Sequence, residues 1–247
     1  MKLTREDRAA LKASFKEMGL GKKIEYLYMY FKLPILLGLV ALVLVCSLVY
    51  RHVTKKDVVL YSAHVNVAVG DALASYLDTD FIAALGENPK KAEVYLSQGL
   101  YLSNSASQED HQYSYASRLR IMSSSEAKEL DVVLMNQEAY DIFSYSGWLC
   151  DLPDLLAENA ALYGRLEPCL TTNTVVLEDN AVEYQLGEAD RYEATTRESV
   201  NGLDLSTLPV FDQAGFPGKV YLGVVANSPR LTTAVQYIEY LADEPQS

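Results

Sequence analysis

The sequence predicts an α/β fold, in which a single transmembrane helix precedes one domain built on a parallel β-sheet. Three observations support this prediction. Residues 33–50 are an uncharged apolar run, β-rich segments alternate with helical segments from residue 57 onward, and the chain closes with a buried strand and an amphipathic helix. Alternation of strand and helix is the usual pattern of a parallel sheet covered by crossover helices.

The apolar run LPILLGLVALVLVCSLVY contains 18 residues and no charge. At about 1.5 Å per residue it would span roughly 27 Å as a helix, close to the thickness of a bilayer core. A cleaved signal peptide is a poor fit, because 32 residues precede the run and its end, residues 46–50, offers no cleavage site of the A-x-A kind. A lipoprotein site would need a small residue before Cys46, where Val45 stands. The run therefore predicts an uncleaved membrane anchor at residues 33–50.

The basic residues around this run predict its orientation. Eight Lys and Arg residues precede it, and three follow it before residue 57. Because basic flanks stay in the cytoplasm, we expect a cytoplasmic, basic amphipathic segment at residues 1–32 and an extracytoplasmic domain at residues 57–247. The predicted location is the cell membrane, single-pass, with the lipid bilayer as a partner.

Charge is unevenly distributed along the chain. The part beyond residue 50 carries 29 acidic and 13 basic residues, a net charge near −16. An acidic surface of this kind repels phosphate groups, so nucleic acid is excluded as a partner. Such a surface could attract cationic ligands, but the simpler interpretation is a solvated surface that keeps the domain soluble and away from anionic lipid.

Cysteine and metal-ligand patterns add little. Cys46 lies in the apolar run, which leaves Cys150 and Cys169 as one candidate disulfide, and the sequence does not decide whether they pair. No C-x-x-C pair, H-E-x-x-H run or acidic calcium loop occurs, so we expect no metal site and no cofactor.

The order of elements in the outer part follows from hydrophobic periodicity. Apolar residues at i, i+4 spacing from residue 70 predict a helix that ends at Gly86, and a second helix runs up to Glu129. A third, short helix follows Asn136, and the last helix follows Ser228 and Pro229. The predicted strands are residues 57–61, 93–96, 130–135 and 220–226, with a hairpin that pairs residues 174–177 with residues 182–185.

Two segments resemble a known family. The stretch LRIMSSSEAKELDVVLMNQEAYDIFSYSGWLCDLPDLL and the tail GKVYLGVVANSPRLTTAVQYIEYLADE resemble extracellular solute-binding proteins of the type 2 periplasmic-binding superfamily. The head SFKEMGLGKKIEYLYMYFK is similar to the juxtamembrane segment of small membrane-anchored proteins of Gram-positive bacteria with a reduced domain of this kind. The resemblance covers about a third of the chain. It implies a type 2 periplasmic-binding-like domain, and residues 156–212, which are acidic and hairpin-like, would supply a reduced second lobe.

Polar residues near the predicted strand ends are the candidate ligand-binding residues. In a doubly wound sheet, ligands bind beyond the carboxyl ends of the strands, where the strand order reverses. The residues expected there share polar, uncharged or acidic side chains that suit hydrogen bonds to a small solute: Ser62, His64, Asn66, Ser97, Gln98, Asn136, Gln137, Glu138, Asn227 and Ser228. Each of them also fits a plain turn or helix-cap role. Trp148, which follows a glycine at a turn, is the aromatic side chain that we expect in a cleft or an interface.

Catalytic patterns are missing from the sequence. None of the three histidines accompanies a glycine-flanked serine or a nucleophilic cysteine motif, so we expect no enzyme and name no catalytic residue.

Two functions remain as hypotheses. In the first, the domain captures or senses a small solute and presents it to a membrane permease or sensor subunit. In the second, it has lost its cleft and serves as an interaction or adaptor module of a membrane complex.

Overall fold

The computed structural model describes residues 19, 33, 36–50, 55–104 and 108–243, with side chains from residue 111 onward in the last range. It divides the chain into two compact units, Met1–Lys55 and Lys56–Ser247. The predicted cytoplasmic segment at residues 1–32 lies outside the described residues, apart from Gly19.

The prediction of a transmembrane helix at residues 33–50 is wrong, because a helix that crosses a bilayer must be long and apolar enough to span its ~30 Å hydrocarbon core. The described residues of the run, 33 and 36–50, are helical. No helix in the described part of the chain is long and apolar enough to cross a membrane.

The unit Lys56–Ser247 is an α/β domain around one six-stranded sheet. Its strands are β1 (Asp57–Val65), β2 (Ala92–Leu100), β3 (Val132–Met135), β4 (Leu170–Asp179), β5 (Ala194–Asp204) and β6 (Tyr221–Val224). The spatial order is β2-β1-β3-β6-β5-β4.

The sheet is mixed, so the prediction of a parallel sheet holds for only two of its five strand pairs. Strand β1 pairs in parallel with β2 and β3, whereas the pairs β3–β6, β6–β5 and β5–β4 are antiparallel. The reason lies in the connections. Helices link β1, β2 and β3 by crossovers, whereas β4, β5 and β6 are joined by shorter links that allow antiparallel pairing.

The helices lie on both faces of the sheet. They are α1 (residues 71–84, with a π-helical turn Tyr76–Asp80), α2 (Gln108–Glu126), α3 (Gln137–Tyr145), α4 (Leu152–Leu155), α5 (Ala160–Leu166), α6 (Ala181–Leu186), α7 (Pro209–Ala214) and α8 (Leu231–Ala242). Short 3-10 turns occur at Glu167–Cys169 and Leu205–Thr207.

Side-chain alternation along β1 divides the hydrophobic core into two parts. Leu60 packs with α1 and α8, including Phe81 and Ile238, on one face. Tyr61 and Ala63 pack with α2 and α3 on the other face. The predicted i, i+4 stripe of α1 is therefore confirmed as its buried face, and the last helix also packs as predicted.

Residues 156–212 do not form a second lobe. Strands β4 and β5 join the same sheet as β1–β3, and residues 56–247 make one compact unit. The predicted hairpin is half correct. Residues 174–177 lie in β4, but residues 182–185 lie in α6, and the strand that pairs with β4 is β5. Gly187, in the left-handed conformation at φ 75°, ends α6 and directs the chain into the link to β5.

The β4–β5 pair projects beyond the sheet. Strand β6 pairs only with Leu203 and Asp204 of β5, so residues 172–200 form a two-stranded extension capped by α6; we call it the hairpin arm. Strand β5 is antiparallel to β6, as β3 is, and therefore runs in the same direction as β1 and β3. The arm consequently extends from the edge where the parallel strands begin, opposite to the edge where they end.

Candidate functional site

The strand order reverses between β1 and β3. From β1 the chain moves to β2 on one side and then returns to β3 on the other side, which places α1 and α2 on opposite faces of the sheet. Such a reversal opens a crevice at the carboxyl ends of the two central strands. Asn66 follows β1 and Asn136 follows β3, and both line a cleft at this point.

Asn66 fixes one side of the cleft. Its backbone adopts φ 58°, the left-handed conformation that asparagine tolerates better than most residues. Its side-chain Nδ2 donates to the Leu102 carbonyl at 2.6 Å, and its Oδ1 accepts from the Leu102 amide at 2.9 Å. These bonds tie the end of β1 to the segment that follows β2.

Asn136 fixes the facing side. It is the N-cap of α3, and its Oδ1 accepts from the Ala139 amide at 3.0 Å and from Asn66 Nδ2 at 3.1 Å. Both bonds use the oxygen, so they define the orientation of the amide group. Its Nδ2 bonds to no other residue within the described ranges, and this donor is available to a ligand in the cleft.

The third wall comes from the loop between α7 and β6. Because β6 is antiparallel to β3, its first residue lies beside the last residue of β3, with Tyr221 opposite Met135. The residues just before β6 therefore reach the carboxyl edge of the parallel strands. Phe216 and Lys219 line the cleft from this loop, whose start at Gly215 is left-handed at φ 67°.

Lys219 is the cation of the cleft, and Asp204 at the end of β5 positions it. The ammonium nitrogen lies 2.6 Å from Asp204 Oδ2, and the Ser206 amide donates to Oδ1 at 3.0 Å. Burial acts to raise the pKa of Asp204, but hydrogen bonds from Lys219 and Ser206 outweigh it and hold this pKa below its usual value. The same bond raises the pKa of Lys219, so its amine is protonated at neutral pH.

The cleft has the size of a small-molecule site. Its volume is about 450 Å³, within the roughly 300–1,000 Å³ that such sites usually occupy. Val67, Ala68 and Val220 add apolar surface to it. A smaller cavity of about 230 Å³ lies against the same loop and shares Phe216, Gly218 and Val220 with the cleft.

Gln137 and Glu138, two further predicted residues, lie at the same edge but serve the fold. Glu138 Oε1 accepts from the Ser103 hydroxyl at 2.7 Å and from the Asn104 amide at 3.1 Å. Gln137 donates to Asp141 on the next turn of α3 and accepts from the Tyr221 hydroxyl. These contacts hold α3 against the segment after β2 and against β6.

Four other predicted residues lie inside strands. Both β1 and β2 continue four residues beyond their predicted ends, so Ser62 and His64 belong to β1 and Ser97 and Gln98 belong to β2. Ser62, His64 and Ser97 are buried, and only Gln98 is exposed. No described residue bonds to either ring nitrogen of His64, and burial lowers its pKa to about 4. None of the four lines the cleft.

Asn227 and Ser228 lie at the opposite edge of the sheet, because β6 runs antiparallel to β3. The Ser228 hydroxyl donates to buried Asp131 at 2.6 Å, just before β3 begins. Asp131 also accepts from Arg230 Nε at 2.8 Å and from the Tyr61 amide at 2.7 Å. Asn227 bonds to Ser125 at the end of α2. This cluster is a satisfied buried ion pair that joins the end of β6 to β3.

Trp148 is half-buried rather than held in the cleft. Its ring packs edge-on against Phe143 at a centroid distance of 5.1 Å, on the face of the sheet that α2 and α3 cover. Its backbone belongs to the turn after α3, next to a bridge between Leu149 and Val225.

The sequence reasoning missed Lys219 and Phe216. The run G-F-P-G-K at residues 215–219 is a clear loop signal ahead of a strand. This run can be placed at the carboxyl edge of the parallel strands only when β6 is known to be antiparallel to β3. The helix patterns around the run do not predict the direction of β6.

The described residues give no support to a metal centre or a disulfide. No group of three or more His, Cys, Asp or Glu side chains in the described ranges could hold a metal ion. Cys150 and Cys169 are both free, and burial raises the pKa of Cys150.

Comparison with known proteins does not assign the chain to a family. No family model matches the sequence, and no curated protein or solved structure matches it either.

Proposed function

We propose that this domain captures or senses a small solute that carries a carboxylate, a phosphate or another strong hydrogen-bond acceptor. The main supporting observation is that Asn66 and Asn136 line one cleft and share a hydrogen bond at the point where the strand order reverses. In open α/β sheets this is the general location of ligand sites.

The chemistry of the cleft supports an acceptor-bearing ligand. Asn136 Nδ2 and the Lys219 ammonium are hydrogen-bond donors at the cleft, and Asp204 uses only one of the three ammonium protons. Phe216 and Val67 supply apolar surface for the rest of the ligand. A few polar groups in a mainly apolar cavity are typical of small-molecule sites.

Binding without catalysis fits this cleft better than an enzymatic reaction. A lysine acts as a nucleophile only when its amine is deprotonated. The bond to Asp204 raises the pKa of Lys219 and keeps it charged, so it serves as a donor. The other side chains of the cleft are amides and apolar groups.

The test is thermal unfolding of the full chain with acetate, benzoate, inorganic phosphate, glutamate, glucose and spermidine. A ligand at 100 times its dissociation constant adds about 2.7 kcal/mol, a rise in midpoint of roughly 5 to 11 °C for a domain of this size. We expect a rise with at least one acidic solute and none with spermidine. A flat panel from a cooperatively folded protein would contradict the proposal.

Asn136→Asp is the variant that separates binding from folding. An aspartate retains the oxygen that accepts from Ala139 and Asn66, and it suits a helix N-terminus. It replaces the Nδ2 donor with a negative charge, so the rise with the acidic solute should disappear while the unliganded midpoint changes little. Lys90→Met, at an exposed lysine between α1 and β2, is the matched control for Lys219→Met. Only the Lys219 variant should weaken binding.

A further inference from the structure

The hairpin arm carries an exposed apolar surface at its tip. The side chains of Val182 and Leu186 are 66% and 68% exposed, and they stand one turn apart on α6, a helix without a buried residue. Helices of this length are not stable without packing against other residues. No described residue covers this apolar stripe.

Three tyrosines continue the apolar surface toward the body of the domain. Tyr145 at the end of α3 and Tyr192 on the arm share a hydrogen bond of 2.6 Å between their hydroxyls, and Tyr184 of α6 packs edge-on against Tyr192. All three rings are at least 40% exposed. We call Val182, Leu186 and these three tyrosines the tip patch.

The segment that carries most of the tip patch is rich in acidic residues. Residues 178–198 contain seven Asp or Glu and two Arg, a net charge of −5 over 21 residues. Over residues 57–247, 29 acidic and 10 basic residues give −19 over 191 positions. The arm therefore carries more than twice the negative charge per residue of the domain as a whole.

The carboxylates also converge on a hollow beside the patch. Its volume is about 540 Å³, and Glu178, Asp179 and Glu193 line it together with Arg191. Arg191 pairs with Glu193, and Asp179 accepts from the Tyr192 hydroxyl at 3.0 Å. Glu178 bonds to no other side chain within the described ranges. The hollow thus offers negative charge to one cationic side chain.

We propose that the tip patch and this hollow form a docking surface for a Lys- or Arg-rich segment of a partner protein. A basic side chain enters the hollow, and apolar side chains of the segment cover Val182 and Leu186. Charge complementarity selects this occupant. Anionic lipid and nucleic acid would face seven carboxylates, and a second copy of this chain would present the same negative surface.

The test uses three labelled 14-residue peptides and fluorescence anisotropy with the full chain. One peptide alternates Lys and Leu, one alternates Glu and Leu, and one alternates Lys and Ser. We expect the Lys–Leu peptide to bind at least tenfold more tightly than the other two. Equal binding of the Glu–Leu peptide, or of the Lys–Ser peptide, would overturn the proposal.

Two double variants locate the binding. Val182→Ser with Leu186→Ser removes the apolar stripe, and Glu178→Gln with Asp179→Asn removes charge from the hollow. Each should weaken Lys–Leu binding at least fivefold, and added salt should weaken wild-type binding more than it weakens the charge variant. Unchanged binding in both variants would overturn the proposal.

Two controls accompany these variants, one a double variant on α2 and the other a measurement with lipid vesicles. Tyr113 and Tyr115 are as exposed as the tip patch but lie outside the acidic arm, so Tyr113→Ser with Tyr115→Ser should leave peptide binding unchanged. Binding of the full chain to vesicles with one part phosphatidylserine to four parts phosphatidylcholine should be the same in the arm variants as in wild type. Loss of peptide binding in the α2 variant, or vesicle binding that the arm variants abolish, would contradict the proposal. Asn136→Asp should bind the peptide normally, which separates this surface from the cleft.

Discussion

Replacement of buried His64 by leucine should change how stability depends on pH. The imidazole is fully buried in β1, and neither ring nitrogen has a partner among the described residues. An unsatisfied buried polar group costs about 1–3 kcal/mol, so His64→Leu should stabilise the protein at pH 7. A leucine side chain is apolar and of similar size, which suits the core around α1 and α8.

The pH dependence follows from the lowered pKa of His64. An unperturbed histidine has a pKa of about 6.5, and burial lowers the pKa of His64 to about 4. Between these two values the unfolded chain binds a proton that the folded chain does not, so the free energy of unfolding falls as pH falls. The full shift corresponds to roughly 3 kcal/mol at about 1.4 kcal/mol per pH unit. The advantage of His64→Leu should therefore grow between pH 6.5 and 4 and level off below that.

Urea unfolding at a series of pH values measures this difference. The two proteins differ only at residue 64, so the difference in free energy of unfolding between wild type and variant isolates His64. His111→Leu, at an exposed histidine of α2, is the matched control for the loss of an imidazole. A difference in free energy of unfolding between wild type and His64→Leu that stays constant from pH 7 to pH 4 would show that the pKa of His64 is not lowered by burial.

Three other predictions concern packing, the buried ion pair and the cysteines. In Gly202→Ala the new Cβ would lie 2.6 Å from the Tyr140 ring, so urea unfolding should show a free energy of unfolding about 1–3 kcal/mol lower. The control is Gly164→Ala, in an open position of α5, which should raise that free energy by up to about 1 kcal/mol. Equal effects of the two variants would contradict the close packing of Gly202 against Tyr140. Asp131→Asn breaks the buried ion pair with Arg230 and should lower the free energy of unfolding by about 3–5 kcal/mol. Asp243→Asn breaks an exposed pair with Arg165 and should lower it by less than about 1 kcal/mol. A small loss of stability in Asp131→Asn would show that the pair with Arg230 is not desolvated. Both cysteines of residues 56–247 are free, so dithiothreitol should leave the unfolding midpoint unchanged, and a drop would indicate a disulfide.

Local patterns predicted the first half of the domain well. The i, i+4 stripe of α1 and the apolar strand β3 depend on nearest neighbours in sequence, and both were correct in kind. The ends of β1 and β2 were predicted too early, because the buried polar residues Ser62 and Ser97 interrupt the apolar pattern without ending the strands. Burial of polar groups in a strand depends on the tertiary core, which the pattern does not contain.

Strand direction was the property that the sequence did not reveal. The apolar run before Ala226 predicted β6, but whether it runs parallel or antiparallel depends on how the preceding hairpin joins the sheet. That direction decides which residues meet at the cleft. Because β6 is antiparallel to β3, Asn227 and Ser228 lie at the edge of the sheet opposite to the cleft, and Lys219 lies at the cleft instead.

The most direct test of the proposed solute site is amide chemical-shift mapping by NMR, with the acidic solutes added one at a time to the full chain. We predict that the shifts centre on the side-chain amide of Asn136 and on the backbone of residues 215–220, and that Asn136→Asp abolishes them. The hairpin arm, at the opposite edge of the sheet, should not shift. Shifts centred elsewhere, or no shift with any acidic solute, would contradict the assignment of this cleft as the ligand site.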